Sequence, residues 1–135
     1  MHRTDVAAQM THQTDRLALT LDWPPTGNHC YTVARGRKIL ASKGRFYRDV
    51  SVESLLRQSQ GATVTGKLRV QINASPPDRR ARDLDNLIKL PMDCLQRAGI
   101  IENDKDVDML VVVRGDVVKG GSFEIVVETL QRSVS

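Results

Sequence analysis

Cysteine, histidine and aromatic residues are scarce in this chain of 135 residues, and each shortage removes a class of function. The two cysteines, Cys30 and Cys94, fit no zinc-knuckle spacing, and a single pair does not make a disulfide framework. We therefore expect a reducing, intracellular setting. The three histidines, His2, His12 and His29, complete no nucleophile–histidine–acid signature. Hydrolysis by a serine or cysteine triad is therefore not indicated.

Long hydrophobic runs are also missing. No stretch approaches the roughly 18 apolar residues that a membrane span requires. The N-terminal MHRTDVAAQMTHQTD lacks the apolar centre of a signal peptide. We expect a cytoplasmic protein. The length corresponds to one domain, and we expect a flexible tail over residues 1–14 and a single domain over residues 15–135.

Positive charge is in excess, with a net charge of +4 and a sequence pI near 9.4. This balance favours a polyanionic partner such as nucleic acid without establishing one. Aromatic residues make up only 4% of the chain. Trp23 could stack on a base, but at the end of an alternating run it is expected to be buried.

Apolar residues alternate with polar ones from Arg16, which predicts a strand that is ended by two prolines at positions 24 and 25. Residues 26–39 are irregular, and Ser42 is expected to cap a helix that follows. A second alternating run after Gly66 predicts a strand with a polar or basic face.

Helical spacing then runs from Leu84 to Ala98, and Gly99 is a natural helix stop. Pro91 lies inside this helix and predicts a kink or a restarted turn near Leu90. Residues 107–114 and 122–129 are strand-like and joined by GDVVKGG, which predicts a hairpin. The order β-α-β-α-β-β indicates an α+β fold, a small mixed sheet covered by two helices.

Three arginines and three aspartates crowd into residues 78–85, DRRARDLD, which we call the charged segment. Asp83 and Asp85 would face the same side of an extended backbone and could converge on one cation. The same carboxylates would also be favoured by the free N–H groups of a helix start. Spacing alone leaves open a metal site and a helix cap.

The basic residues near Asp83 and Asp85 each allow two interpretations. Lys89 could reach a phosphate held at the helix start, or form an ordinary ion pair with Asp85 four residues before it. The three arginines match phosphate oxygens, or simply solubilise a loop. Downstream, ENDKDVD supplies a second acidic cluster. Neither cluster has the glycine of a calcium-binding EF-hand, whereas magnesium commonly uses one or two carboxylates with waters and phosphate oxygens.

The run DRRARDLDNLIKLPMDCLQRAGIIENDKDV is similar to the signature of the RusA family of Holliday-junction resolvases. That signature is a basic stretch, D-x-D-N, a lysine three residues after the asparagine, an A-G turn and an acidic site before a valine. LTLDWPPTGNHCY resembles the opening strand of the family, KGRFYRDV its first helix and KGGSFEIVVET its last strand. The resemblance covers about residues 16–130.

The resemblance implies a RusA-like fold and a homodimer that uses magnesium, or manganese in its place, to cut four-way DNA junctions by paired symmetric hydrolysis. It implies three catalytic, metal-binding carboxylates and an essential lysine: Asp83, Asp85, Asp104 and Lys89. Asn86 matches the asparagine of the motif. The residues expected to contact DNA are Arg79, Arg80, Arg82, Asn86, Arg35, Arg37, Lys67 and Arg69. A bacterial or phage-encoded protein associated with the nucleoid is implied.

Two departures from the family pattern keep other interpretations open. Asn103 stands where many members have an acid, so Asp106 or Glu102 could share the third ligand role. Pro91 replaces a helix former. If either change spoils the metal site, the chain would be a catalytically silent DNA-binding module. A domain whose arginines and aspartates merely pair with each other is the third possibility.

Overall fold

The computed structural model describes residues 12–25 and 31–130. Within these ranges the helices are α1, Ser42–Ser59, and α2, Lys89–Arg97. The strands are β1 His12–Thr14, β2 Arg16–Leu21, β3 Tyr31–Ala34, β4 Arg37–Leu40, β5 Ala62–Val64, β6 Leu68–Ser75, β7 Val107–Arg114 and β8 Ser122–Thr129. Short 3-10 turns occupy Leu84–Leu87 and Asp104–Asp106. In this part of the chain, no helix combines the length and apolar character needed to cross a bilayer.

Four strands form the main sheet in the order β2-β8-β6-β7. β8 runs antiparallel to both of its neighbours, whereas β6 and β7 are parallel. Two smaller pairs lie outside this sheet, β1 with β5 and β3 with β4. The predicted α+β fold, with a mixed sheet and two helices, is confirmed.

The core lies on one face of the main sheet. Every second residue of β6 is buried, starting at Leu68, and the register sets Val70 beside Val127 and Ile72 beside Ile125 of β8. Both helices contribute to the same cluster, and α1 adds the fully buried Leu55. The alternation predicted after Gly66 therefore reflects a strand whose apolar side faces the helices.

The prediction that β7 and β8 form a hairpin is wrong. After β7 the chain crosses the end of β6, where the Gly115 N–H donates to the Ala74 carbonyl at 2.8 Å and the Val118 N–H donates to the Pro76 carbonyl at 2.9 Å. β8 then enters between β2 and β6. The alternately buried side chains of β8 require this central position, whereas the largely exposed β7 suits the edge.

Two local predictions near the N-terminal end of α1 are also wrong. The part of residues 26–39 that is described, from Tyr31 onward, forms a hairpin whose turn residues, Arg35 and Gly36, have φ of 54° and 74°. Ser42 does not cap α1, because Ala41 takes that position and the Ser42 hydroxyl accepts a bond from Arg45 Nη2 at 3.2 Å. Residues 26–30 lie outside the described ranges.

The expected tail overlaps β1. Residues 12–14 pair with β5 in parallel register, whereas residues 1–11 lie outside the described ranges. The tail therefore stays a prediction for residues 1–11.

Pro91 lies in the first turn of α2 rather than inside a continuous helix. The 3-10 turn ends at Leu87, and the Met92 N–H donates to the Ile88 carbonyl at 3.0 Å. The helical ladder thus begins one residue after the proline, where a missing N–H leaves no bond unmade. The restart predicted near Leu90 is confirmed, although it falls slightly earlier, and Gly99 follows the helix end with φ of 74°.

We expect Gly121→Ala to destabilise the fold more than Gly120→Ala. Both glycines have positive φ, 77° and 80°, which costs an alanine about 1–2 kcal/mol. A Cβ at Gly121 would also lie 3.2 Å from Trp23 Cβ and 3.4 Å from Pro77 Cδ, whereas at Gly120 nothing lies within 4 Å. This crowding should add about 1 kcal/mol or more in urea unfolding. Equal losses would contradict the contact.

Candidate active site

Arg82 anchors the charged segment to the sheet. Its Nη2 lies 2.8 Å from Asp78 Oδ1, and its Nη1 donates to the carbonyls of Asp78 at 3.2 Å and Arg80 at 3.3 Å. The guanidinium carbon lies 5.6 Å from the centre of the Trp23 ring, which packs edge-on against Phe123. With the Arg82 side chain only 10% exposed, these contacts lie in a partly desolvated setting where cation–π attraction is stronger.

Asp78 is neutralised within the segment. Besides Arg82, its carboxylate accepts the backbone N–H of Arg80 at 3.0 Å and pairs with Arg80 Nη2 at 3.1 Å. The hydrogen bonds from Arg82 and then Arg80 hold the pKa of Asp78 well below its usual range. Arg80 is 81% exposed, so its ion pair adds little to stability. Part of the charge crowding is therefore structural.

Asp83 and Asp85 have no such partner. Neither carboxylate makes a hydrogen bond or ion pair with the described residues. Asp83 begins the 3-10 turn only through its carbonyl, which accepts the Asn86 N–H at 3.2 Å. The sequence left open two purely structural roles for this pair. Among the described residues, Asp83 does not cap the turn with its side chain, and Asp85 forms no ion pair with Lys89. The oxygens of both carboxylates are exposed to solvent.

Lys89 opens α2 and contacts an aromatic ring that sequence reasoning missed. Its Nζ lies 5.2 Å from the centre of the Tyr31 ring, and Lys38 Nζ lies 4.9 Å from the same ring. The β3–β4 hairpin therefore stands beside the start of α2. A weak signal was available, because Tyr31 is one of only five aromatic residues and is followed by a basic stretch. Nothing local in the sequence ties it to Lys89.

Asp104 follows α2 in the sequence, whereas the charged segment precedes this helix. Asp104 and Lys89 nevertheless line the same cleft. This cleft of about 430 Å³ is lined by the polar residues Lys89, Asp93, Gln96 and Asp104 and by apolar residues of α2 and β7. Gln96 Oε1 accepts the Asp104 N–H at 3.0 Å and so fixes the turn. Lys89 and Asp104 thus line the same cleft.

The neighbours of Asp104 have other tasks. Asn103 caps the 3-10 turn by accepting the Lys105 N–H on Oδ1 at 2.9 Å. Glu102 lines a separate cleft with His12 of β1 and Thr63 of β5. Asp106 is half-buried. Among these acids, Asp104 is the one that shares the cleft with Lys89.

The described residues do not gather three carboxylates into one group. No three His, Cys, Asp or Glu side chains among them are placed to hold a metal ion together. The donor chemistry nevertheless fits a hard divalent cation, because Asp83 and Asp85 offer oxygens with no competing cation and magnesium needs only one or two carboxylates. The three-ligand set with Asp104 stays a prediction.

The eight residues expected to contact DNA differ in their exposure to solvent. Six of the eight side chains belong to residues open to solvent: Arg35, Arg37, Lys67, Arg79, Arg80 and Asn86. Arg82 is engaged as described above. Arg69 lies on the face of β6 opposite the core, where it donates to Glu128 Oε1 at 3.2 Å and to Gln71 Oε1 at 2.8 Å. The structure therefore uses Arg82 and Arg69 within the chain itself.

Cys94 and Trp23 contribute to packing within the chain. Cys94 is fully buried, and burial is the main cause that raises the pKa of its thiol to about 12. It is therefore not a nucleophile at neutral pH. Trp23, which was expected to be buried, is half-buried between Phe123 and Arg82.

We expect Arg82→Gln to lower the melting temperature by several degrees and Arg80→Gln to leave it nearly unchanged. Both substitutions remove a guanidinium from Asp78, but only Arg82 is largely buried and stacked on Trp23. Thermal unfolding followed by circular dichroism compares the two. A similar fall for both variants would mean that Arg82 does not anchor the segment.

The chain is similar to known proteins over most of its length. A family model described as Endodeoxyribonuclease RusA matches residues 22–128, which include every candidate residue. A crossover junction endodeoxyribonuclease RusA from Shigella sonnei (strain Ss046) and one from Escherichia coli (strain K12) are each 36% identical over 110 residues, 82% of this chain and 92% of theirs. A relative of the same name from Enterobacteria phage 82 is 38% identical over 112 residues, 81% of this chain and 91% of its own.

Proposed function

The chain belongs to the RusA family of endodeoxyribonucleases, and we propose that it resolves four-way DNA junctions by magnesium-dependent, paired and symmetric cuts. The observation that carries this proposal is the pair of exposed carboxylates on Asp83 and Asp85, which have no partner among the described residues and directly precede the turn that leads to Lys89. The relatives are named for acting on crossover junctions, which supports a branched substrate.

In this proposal Asp83, Asp85 and Asp104 hold the cation. Magnesium, or manganese in its place, would supply charge stabilisation at the phosphate and a water of lowered pKa. The ammonium of Lys89 would neutralise charge that develops on the phosphate oxygens. Two contacts support this role: Lys89 Nζ lies 5.2 Å from the centre of the Tyr31 ring, and Lys89 lines the same cleft as Asp104.

The DNA backbone would lie along the exposed basic residues. Arg79 and Arg80 border the acidic pair, while Arg35 and Arg37 project from the turn of the β3–β4 hairpin. Such phosphate contacts make binding strongly dependent on salt concentration. Arg82 would act indirectly by holding the segment in place.

Symmetric cutting of two strands requires two sites, so we propose a two-fold homodimer. The bacterial and phage sources of the relatives support a cytoplasmic reaction on chromosomal or phage DNA in the nucleoid.

We expect Asp85→Asn to abolish cutting while sparing binding. On a synthetic four-way junction with magnesium, the native chain should give paired symmetric nicks, and the variant should be at least about 100-fold slower. Asp93→Asn is the matched control, because Asp93 lines the same cleft as Lys89 but is paired with Arg97 at 3.0 Å. Gel-shift binding is measured alongside without magnesium.

Each failure of that experiment has a separate meaning. If the native chain cuts nothing in magnesium or manganese but binds the junction in a salt-dependent way, it is a silent DNA-binding module. If Asp85→Asn cuts as fast as the native chain, the acidic pair is not the metal site. The described residues do not place three carboxylates in one group, and this observation is the reason to test for a DNA-binding module without activity.

We expect Tyr31→Leu to lower kcat with little change in KM, because it removes the ring that holds Lys89 without removing a phosphate contact. Tyr31→Phe keeps the ring face and should retain most of the activity, which separates the cation–π contact from the hydroxyl. Steady-state cutting rates over a range of junction concentrations give kcat and KM for each variant. Equal losses in both variants would assign the effect to the hydroxyl.

A further inference from the structure

An apolar groove runs between the start of α1 and the segment that follows β2, and the candidate active site does not use it. The groove has a volume of about 460 Å³. One wall includes Trp23 and Pro25, and the other is a stripe of α1 at helical spacing, Lys43, Phe46, Tyr47 and Val50. Phe46 is 73% exposed and Val50 41%, so the core does not cover this stripe. An exposed apolar surface with a polar rim marks an interaction site.

Aromatic side chains are concentrated in this groove. The chain has only five aromatic residues, and three of them, Trp23, Phe46 and Tyr47, line the groove. The Tyr47 hydroxyl donates to the Asp22 carbonyl at 2.8 Å, which ties α1 to the end of β2 and so holds the two walls together. Aromatic rings are the platforms on which unpaired nucleic acid bases stack.

Trp23 connects the groove to the charged segment. The Arg82 guanidinium carbon lies 5.6 Å from the centre of the Trp23 ring, and Arg82 directly precedes Asp83 in the chain. On the opposite wall, Lys43 is exposed and makes no hydrogen bond or ion pair with the described residues. A DNA strand bound along the charged segment would therefore pass within one side chain of the groove, with a basic group on its far wall.

We propose that this groove binds one unstacked base of the branched DNA, with Phe46 stacked on the base and Lys43 at a neighbouring phosphate. The inference rests on the proposed function, because it takes branched DNA as the ligand. The aromatic lining, the shared Trp23 and the lysine at the rim favour a nucleotide over an apolar peptide as the occupant.

A branch point supplies such a base more readily than a duplex does. In an opened four-way junction, the base pair that closes each arm has no stacked neighbour on one side. Turning a base out of the helix costs least where pairing and stacking are already incomplete. Stacking on an aromatic ring tolerates any base, because every base has a π-face. The groove would therefore favour branched over linear DNA without selecting a sequence.

A double-mutant cycle between protein and DNA tests the contact. One junction is intact, and the other has abasic nucleotides on either side of the branch point, which keeps the phosphates and removes the bases. Without magnesium, Phe46→Ala should weaken binding of the intact junction by about 5-fold or more and leave binding of the abasic junction unchanged. Gel-shift titrations give the four dissociation constants.

Two further variants separate stacking from other effects of the substitution. Phe46→Tyr keeps the ring and should bind both junctions as the native chain does. Leu56→Ala is the matched control, since Leu56 is a 38% exposed apolar residue of α1 outside the described lining of the groove, and it should change neither affinity. An equal loss on both junctions with Phe46→Ala, or no loss on the intact one, would overturn the inference.

Tryptophan fluorescence of the native chain provides a second measurement that needs no variant. Trp23 is the only tryptophan in the sequence, so its emission reports on this groove. Emission should be quenched when the intact junction binds and should change little with the abasic junction. Equal quenching by both junctions would assign the signal to phosphate contacts at Arg82 and would contradict base binding.

These results are independent of cutting. A chain that shows the Phe46 coupling but never cuts would keep the groove and lose the nuclease. A chain that cuts through Asp85 without this coupling would keep the nuclease and lose the groove. Failure to bind either junction would overturn both.

Discussion

Strand β6 lies between a parallel and an antiparallel neighbour, and this position determines where the functional segments leave the core. The charged segment follows the C-terminal end of β6, and the connection from β7 to β8 crosses the same end through bonds to Ala74 and Pro76. Trp23 packs against Gly121 there, where an added Cβ would lie 3.2 Å from Trp23 Cβ and would crowd it. Arg82 stacks on that tryptophan. The placement of the carboxylates thus follows from how one strand is paired.

Within the charged segment, opposite charges have different tasks because their surroundings differ. Asp78 has two guanidinium partners and is held as a carboxylate whose pKa lies below its usual range. Asp83 and Asp85 have no partner in the described part of the chain, yet they remain exposed, so water screens their mutual repulsion. A cation that entered between them would gain most from the attraction, because no internal ion pair would need to be broken first.

Local patterns predicted the elements whose identity depends on local chemistry, and they failed where distant partners decide. The alternation after Gly66 and the helix stop at Gly99 were confirmed because a strand face and a positive φ are local properties. The hairpin of β7 and β8 was wrong because glycines in a connection permit a turn without specifying which strand becomes the neighbour. The contact of Lys89 with Tyr31 joins residues 58 positions apart and leaves no periodic trace. The same limit applies to Asp104, whose place in the cleft that Lys89 also lines depends on the fold of α2 and β7.

The separation of the acidic pair from Asp104 has a physical consequence for the proposed nuclease. Three carboxylates close together without a cation would repel one another, so a chain without metal is more stable when the third acid stays apart. In the proposed nuclease, bringing the third acid close would require positive charge, which a bound cation and Lys89 would supply, and magnesium commonly takes further oxygens from a substrate phosphate. Metal affinity would therefore rise when DNA is bound, and DNA affinity would rise with metal by the same factor, because linkage between two binding sites is reciprocal.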